Sequence, residues 1–552
     1  MAVAGLLAFA SCSDTWEEHY DTAAGLTYSG STMGYILSQP NLSDFAEILK
    51  ATGYDKELNA SQVLTILVPE NGTFDKQSYL DLISAGKKQQ VIDRFIKNHV
   101  LRYNISLGAE KQSLALLNEK RVEIGSLADK TIDKANVIAS NIACKNGVIQ
   151  VLDNSLPYAA NLFEQIEFEY EEYVARTGEE KVPSLYKFLK TFDADSLDES
   201  RSVSRGNDAD GNTVYVDSVM IRYNRALANM GAYLYREDSL YWAILPSMDA
   251  YAERYNQLKS YFNYNISLNS DEHVRDSIQD YMANYYTMSD LFFNMNMNQH
   301  VEDSIFATSY NRLDWQYNVF YKPLESDGLF SKTTQEIECS NGKVFKMEEL
   351  PYTIYNNVFK KITVEAEYSF YLETGSNWTN SSRTLFSTRS FNSDDVSGSG
   401  FMDVRPAGSS ANTLFSYQIP NNLSGTYDIY VKMLPLTYLQ DESVKILPSQ
   451  FRVSLYERGD DGKIPENRAT YTFRNPKDDS RNYSNSATEI DSVLIGSYTF
   501  KNCYLDTTPG VLLQFESYVP SNARDTYTRE MLIDCIILVP HQEDEETEET
   551  ND

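Results

Sequence analysis

Up to about residue 361 the apolar residues recur mainly at helical spacing, and beyond it they alternate with polar ones. Two early windows match. Phe45-Ala46-Glu47-Ile48-Leu49-Lys50 and Leu185-Tyr186-Lys187-Phe188-Leu189-Lys190 each put apolar residues on one helical face. Asn41 and Ser43 precede the first, and Pro183 and Ser184 the second; these residue types open helices. Each helix is followed by a short apolar run closed by proline, Leu64-Thr65-Ile66-Leu67-Val68-Pro69 and Tyr241-Trp242-Ala243-Ile244-Leu245-Pro246. Proline donates no ladder hydrogen bond and so marks a strand end. The aromatic five residues later, Phe74 or Tyr251, is expected to plug the core beside that turn. The last landmark is an Asn-Gly dipeptide in Ile142-Ala143-Cys144-Lys145-Asn146-Gly147 and in Ile337-Glu338-Cys339-Ser340-Asn341-Gly342. Asn-Gly favours a tight hairpin because both residues tolerate positive φ. Alternating strands follow, closed by Leu156-Pro157-Tyr158 and Leu350-Pro351-Tyr352. Three landmarks in one order, twice, indicate an internal duplication.

This order resembles the fasciclin (FAS1) family. The family's strand-Pro-x4-Phe block is similar to Ile66 through Phe74, its His block to Phe95-Ile96-Lys97-Asn98-His99-Val100, and its closing block to Asn146-Gly147-Val148-Ile149-Gln150-Val151-Leu152-Asp153. The resemblance implies an α+β chain with FAS1-like domains at residues 33–160 and 161–361. The second copy departs from it. It carries a long insert containing Asn207-Asp208-Ala209-Asp210-Gly211-Asn212, and Tyr285-Tyr286 runs through its His block, which has no His. The insert lacks a glutamate at the twelfth position from Asp208, where Val219 stands, so a hairpin turn is expected there rather than a calcium loop. His99, a lone His among apolar residues, is expected to be a hydrogen-bonded structural residue.

From Ile362 short alternating stretches such as Tyr427-Asp428-Ile429-Tyr430-Val431-Lys432-Met433 and Phe451-Arg452-Val453-Ser454-Leu455 predict an all-β sandwich over 362–541. Its opening Val364-Glu365-Ala366-Glu367-Tyr368 and closing Ile533-Asp534-Cys535-Ile536 resemble the galactose-binding-like and family-6 carbohydrate-binding jelly rolls. In that family the opening carboxylates meet the closing Asp around a structural calcium, which implies Glu365, Glu367 and Asp534 here. The alternative is that both glutamates are ordinary outward strand residues. Sugar-binding members stack aromatics on sugar rings; the matching candidates are Trp378 and Tyr371, and Trp378 reads equally as a core plug. Residues 542–552 form an acidic tail.

Net charge changes the picture of partners. At −31 the chain repels phosphate backbones and anionic lipid, which excludes nucleic acid and leaves covalent attachment as the expected route to a membrane. The apolar run ending Phe9-Ala10-Ser11-Cys12 resembles a bacterial lipobox. The resemblance implies a signal segment at 1–12, lipidation of Cys12, and an acidic tether over 13–32 similar to the surface-export signal of Bacteroidota lipoproteins. Triplets such as Asp276-Ser277-Ile278, Asp303-Ser304-Ile305 and Asp491-Ser492-Val493 resemble that phylum's O-glycosylation sequon. Five cysteines without a CxxC pair, and only five His, assemble no zinc-type spacing, so Cys144, Cys339, Cys503 and Cys535 are expected as buried thiols.

No Gly-rich phosphate loop, GxSxG elbow or HExxH helix is present in the sequence. The expectation is a non-enzymatic lipoprotein of the outer membrane facing the cell exterior, with no cofactor beyond a structural calcium. Its role would be adhesion or protein–protein interaction, as an accessory subunit of a nutrient-uptake system. The alternative is glycan binding through the jelly roll. Its partners would accordingly be a surface or outer-membrane protein, or a glycan.

Overall fold

The two apolar runs closed by proline become central strands of two sheets. A computed structural model describes residues 26–58, 63–197, 203–208, 210–217, 220–297, 299–441, 444–505 and 510–542. Cys12, the acidic tether up to residue 25 and most of the acidic tail lie outside the described residues. The described residues fall into two compact units: one reaching to Gln165 and taking in Leu234–Leu240 and Glu338–Gly342, the other holding the rest.

In the first unit the strand Leu64–Pro69 runs parallel to Gly147–Leu152 and antiparallel to Val100–Arg102, inside a seven-stranded sheet. Both central strands are buried at every position, so they read as continuous apolar runs rather than alternating ones. Ile66 and Val68 face the helical layer with Phe45, Ile48, Leu49, Phe95 and Ile96. Leu67 faces the opposite side with Leu101, Leu107, Val122 and Leu156. Phe74 packs 4.9 Å from Phe95, as its place after the proline suggested. Gly147 approaches the neighbouring strand so closely that a Cβ there would lie 2.0 Å from the Leu64 carbonyl oxygen.

The duplication is visible in strand order. The strand Tyr241–Pro246 lies between Phe292–Asn294 and Gly342–Met347, with Thr333–Cys339 beyond. The first copy has the same order: Val100–Arg102, Leu64–Pro69, Gly147–Leu152, then Ala135–Cys144. Each turn asparagine also ties down its copy's opening helix. Asn146 Oδ1 accepts the Thr32 N–H at 2.8 Å, and Asn341 Oδ1 accepts the Leu162 N–H at 2.9 Å. A side-chain oxygen there satisfies one of the amides that a helix start leaves unpaired.

Register also explains the missing histidine. Ile66 pairs with Val100 and Ala243 with Phe292, so Leu291 stands where the first copy has His99, and Asp290 where it has Asn98. His99 is fully buried; its Nδ1 lies 2.8 Å from the Phe95 carbonyl and its Nε2 accepts the Leu156 N–H at 2.9 Å. Burial pushes its pKa down to about 4, so the ring is neutral and both nitrogens are engaged in holding backbone. His99→Ala should therefore cost about 2 kcal/mol of stability, by leaving a buried N–H and carbonyl unpaired. A thermal melt unchanged from wild type would contradict this.

The first unit also buries a cation. Lys120, with 6% of its side chain exposed, reaches Glu164 Oε2 at 2.8 Å, Glu237 Oε1 at 2.6 Å and Ser340 Oγ at 3.1 Å. The Tyr158 hydroxyl donates to the other oxygen of Glu164.

In the second unit the insert forms the hairpin the sequence suggested. Val203–Asn207 pairs antiparallel with Thr213–Asp217, and the Asp208 carboxylate accepts the backbone N–H groups of Asp210 at 3.0 Å and Asn212 at 2.8 Å. This is a self-satisfied aspartate turn. The same unit contains the sandwich, two six-stranded sheets. One sheet orders Thr384–Ser390, Gly400–Pro406, Met531–Pro540, Gly425–Leu434 and Asp491–Phe500, with Ile362–Glu365 also pairing to Met531–Pro540. The other orders Leu372–Glu373, Leu414–Ile419, Val511–Ser517, Gln450–Glu457 and Tyr471–Thr472, with Tyr483–Ser484 pairing to Gln450–Glu457. Phe386 of the first sheet meets Phe415 of the second at 5.8 Å, and Phe415 stacks on Phe515 at 5.4 Å. The chain is thus α+β: a FAS1-like fold followed by an all-β sandwich.

Cys144, Cys339, Cys503 and Cys535 are free, and of these Cys503 and Cys535 are buried. Cys144 and Cys339 are only half-buried, which corrects the expectation of four buried thiols. Both stand at a strand end beside the hairpin turn. In the first copy that turn is Lys145-Asn146, with Gly147 already paired to Cys144. Neither Asn146 nor Asn341 has positive φ, which corrects the expectation that Asn and Gly both turn at positive φ. Among the described residues no helix is long and apolar enough to cross a membrane.

Candidate functional site

Alternation assigns the second sandwich sheet two faces. Phe415, Tyr417, Val453, Leu455, Leu513 and Phe515 point inward and are buried. Cross-strand pairing then lines the outer face in rows, Ser416–Gln514–Ser454 and Gln418–Leu512–Tyr456, with Glu373 opposite Ser416.

Trp378 lies over this face. Its loop is pinned from below: the Ser416 hydroxyl donates to the Trp378 carbonyl at 2.8 Å and Gln514 Nε2 donates to it at 3.4 Å. Glu373 Oε1 accepts the Gly375 N–H at 3.0 Å, closing the turn. The indole is half-buried and meets the Tyr456 ring edge-on at 4.9 Å. Tyr456 in turn donates to Gln514 Oε1 at 3.1 Å, and Gln418 Nε2 donates to Glu373 Oε2 at 2.9 Å. The result is two aromatic rings held edge to face, beside the amide and carboxylate groups of Gln418, Gln514 and Glu373. Such a surface offers apolar faces to C–H groups and polar groups to hydroxyls, the two halves of a sugar. Trp378 is therefore neither a buried plug nor a free-standing exposed ring.

Tyr371 goes elsewhere. It packs 4.2 Å from Phe370 and lies near Glu365, on the side of the three carboxylates. Of those carboxylates Glu365 and Asp534 come together, and Glu367 lies near Glu365. Glu365 Oε1 accepts the Ser397 hydroxyl at 2.7 Å, Glu367 Oε1 accepts the Ser399 N–H at 3.0 Å, and both oxygens of Asp534 accept the Ser397 N–H at 3.0 and 3.1 Å. Ligand atoms of Glu365, Asp534 and Cys535 lie within 4.8 Å of one another. The Ser397-Gly398-Ser399 loop closes on them so tightly that a Cβ on Gly398, at φ +62°, would sit 2.4 Å from Glu367 Oε1. Lys432 Nζ neutralises part of the charge, 2.9 Å from Asp534. Glu365 Oε2 and Glu367 Oε2 are buried with no partner. Burial, reinforced by the neighbouring carboxylates, pushes the Glu365 carboxyl up; burial also raises Asp534, against the pull of Lys432. The donors fit a hard divalent cation such as calcium, which takes oxygen ligands. The Cys535 thiol is pushed up to about 12 by burial, so it stays protonated and adds no thiolate.

The sequence singled out Trp378 and the three carboxylates as candidates and gave no sign of Tyr456, Gln514, Gln418 or Glu373 beside them. For the Gly398 loop, the run Ser397-Gly398-Ser399-Gly400 was the available signal of a loop that must approach other groups closely.

The fasciclin-domain family model matches residues 40–157. Residues 40–157 are a fasciclin domain. No curated protein matches the chain. Among solved structures, a FAS1 domain pair from the insect cell adhesion molecule Fasciclin I is similar over 58% of this chain and 99% of its own, at 12% identity and a TM-score of 0.20. CBM35 from Cellvibrio japonicus Abf62 is similar over 33% of this chain and 95% of its own, at 9% identity and a TM-score of 0.16. The CBM22-1 xylan-binding domain from Paenibacillus barcinonensis Xyn10C is similar over 33% and 95%, at 13% identity and a TM-score of 0.18.

Proposed function

We propose that this chain is a non-catalytic glycan-binding protein whose sandwich holds a polysaccharide across Trp378 and Tyr456, with calcium fixing Glu365, Glu367 and Asp534. The observation that carries the reading is the Trp378–Tyr456 pair, held over a sheet face whose neighbouring groups are mostly polar, with Leu512 among them. A face built mainly for protein docking is expected to be more apolar at its centre. Here the centre is Gln514, hydrogen-bonded to both aromatic residues.

His99, the histidine of the fasciclin domain, has both ring nitrogens committed to backbone, which supports a structural role and not acid–base work. The second reading, adhesion or partner docking, is supported by the fasciclin domain at residues 40–157. In the glycan reading that domain is a spacer, and in the adhesion reading it is the contact surface.

A glycan array probed with the chain lacking its first twelve residues separates the two. Wild type should bind at least one class of glycan, and Trp378→Ala or Tyr456→Ala should weaken that binding about fivefold or more, as loss of a stacking ring costs of order 1 kcal/mol or above. Equal binding by both variants would end the proposal for this face.

A further inference from the structure

The strands Ser304–Asn311 and Gln316–Tyr321 form a two-stranded hairpin in the second unit that turns most of its aromatic side chains to solvent. Its inner face is mixed: Ile305 and Ala307 are fully buried there and Phe320 packs on Phe293 and Tyr352, beside a polar group. Ser309, Asn311 and Asn318 are buried there, and Asn318 Nδ2 donates to both oxygens of the fully buried Asp290 at 2.8 and 3.0 Å. Asn357 Nδ2 donates to Asp290 at 2.6 Å, Asn311 Nδ2 donates to the Asn357 carbonyl at 2.9 Å, and Lys360 bridges Asn318 and Asp314. The outer face is aromatic. Tyr310, Tyr317 and Tyr321 are 40%, 46% and 76% exposed, Val319 44%, and Trp315 in the turn 59%. Folding alone gives no reason to leave so many aromatic side chains on the solvent face.

Three further features show that this face is kept for a ligand. Trp315 has φ +58°, a strained conformation for a bulky residue, and that conformation sets its ring 6.1 Å from Tyr310. Tyr310 lies 5.2 Å from Tyr317, and Tyr317 6.0 Å from Phe306, so four rings form one continuous row. Finally, neither strand contains an acidic or basic residue, in a chain that carries 79 acidic and 48 basic ones. Its charges, Arg312 and Asp314, are confined to the turn; an exposed aromatic strand face without charges invites aggregation, and surface strands ordinarily carry charges against it.

The occupant follows from charge and size. An uncharged face offers no complement to a macro-ion, so the ligand is neutral. The exposed side chains present on the order of 500 Å², short of the roughly 800 Å² per partner that a stable protein interface takes. A narrow row suits a narrow ligand. We propose that this hairpin is a second glycan-binding surface, taking a single neutral polysaccharide chain along the row Trp315, Tyr310, Tyr317, Phe306. Successive rings are turned 48°, 70° and 58° to one another, so no flat plane runs along the row. It selects soluble chains whose units rotate along their length over the flat face of a crystalline one.

The hairpin shares no residue with the Trp378 face, so the two fail separately. The full chain is run in native gels containing soluble xylan, mixed-linkage β-glucan or dextran, and is sedimented with microcrystalline cellulose. Retardation in at least one soluble polysaccharide is expected, with little sedimentation on cellulose. Trp315→Ala with Tyr317→Ala should raise the apparent Kd about fivefold or more while Trp378→Ala retains part of the retardation. Tyr310→Ala, a 40% exposed position within the row, should weaken binding with an unchanged thermal melt and decides the matter if the double variant unfolds. Retardation unaltered by the hairpin variants, or none in any gel, overturns the proposal. Retardation lost only in the hairpin variants upholds it and removes the Trp378 reading instead.

Discussion

Lys120→Met should destabilise the first unit by about 3–5 kcal/mol, the usual result of removing one partner from a buried ion cluster. Lys120 uses all three of its N–H donors, on Glu164, Glu237 and Ser340. Methionine fills a similar volume but leaves two carboxylates, with 20% and 10% of their side chains exposed, facing one another without a cation. Glu237 Oε2 is already buried without a hydrogen bond, and its Oε1 would keep the neutral Asn161 Nδ2 donor at 2.9 Å but no cation. The triple variant Lys120→Met, Glu164→Gln, Glu237→Gln should recover much of the loss, because amides can pair where carboxylates repel. Amide hydrogen exchange in Leu64–Pro69 and Gly147–Leu152 reports the unit's stability directly. Exchange in Lys120→Met as slow as in wild type would show that the cluster contributes nothing.

Nothing local in the sequence signals that cluster. Lys120 meets residues 44, 117 and 220 positions away, and the ion pairs depend on loops whose paths no periodicity encodes. The duplication was legible because its landmarks are local: proline at a strand end, Asn-Gly at a turn, and an apolar helical face. Asn146 and Asn341 then do more than turn the chain, since their side chains also hold the opening helices, a role visible only once the strands are in register. Trp378 was legible as an unusual residue in a polar loop, but Tyr456, its ring partner, became its neighbour only through the pairing of Leu414–Ile419 with Val511–Ser517 and of that strand with Gln450–Glu457. The hairpin shows the opposite failure. The alternation in Gln316–Tyr321 reads as an ordinary strand with its apolar face inward, and the outward turn of Tyr317, Val319 and Tyr321 depends on Asp290, whose buried carboxylate draws Asn318 to the inside.

Calcium should raise the melting temperature of the sandwich, and the gain should grow as pH rises. With free calcium at a hundred times its Kd, the stabilisation is about 2.7 kcal/mol, roughly 5 °C or more for a domain of this size. The sign of the pH dependence follows from Glu365 and Asp534, whose carboxyls burial holds above their ordinary values. Without metal, the folded chain keeps their protons at a pH where the unfolded chain has lost them. The native state then binds more protons, so these groups cause stability to fall as pH rises from about 4 through their folded values. Calcium replaces those protons, so its benefit is small near pH 4 and full once the carboxyls ionise. Glu367→Gln sharpens the test. An amide there keeps the Ser399 contact and can donate toward Glu365, so in EDTA this variant should melt at or above wild type while gaining less from calcium. Magnesium, smaller and reluctant to shed water, should stabilise less. Melting curves for wild type that coincide in calcium and EDTA from pH 5 to 8 would rule out a cation site, leaving the two orphaned glutamate oxygens as a cost borne by the fold itself.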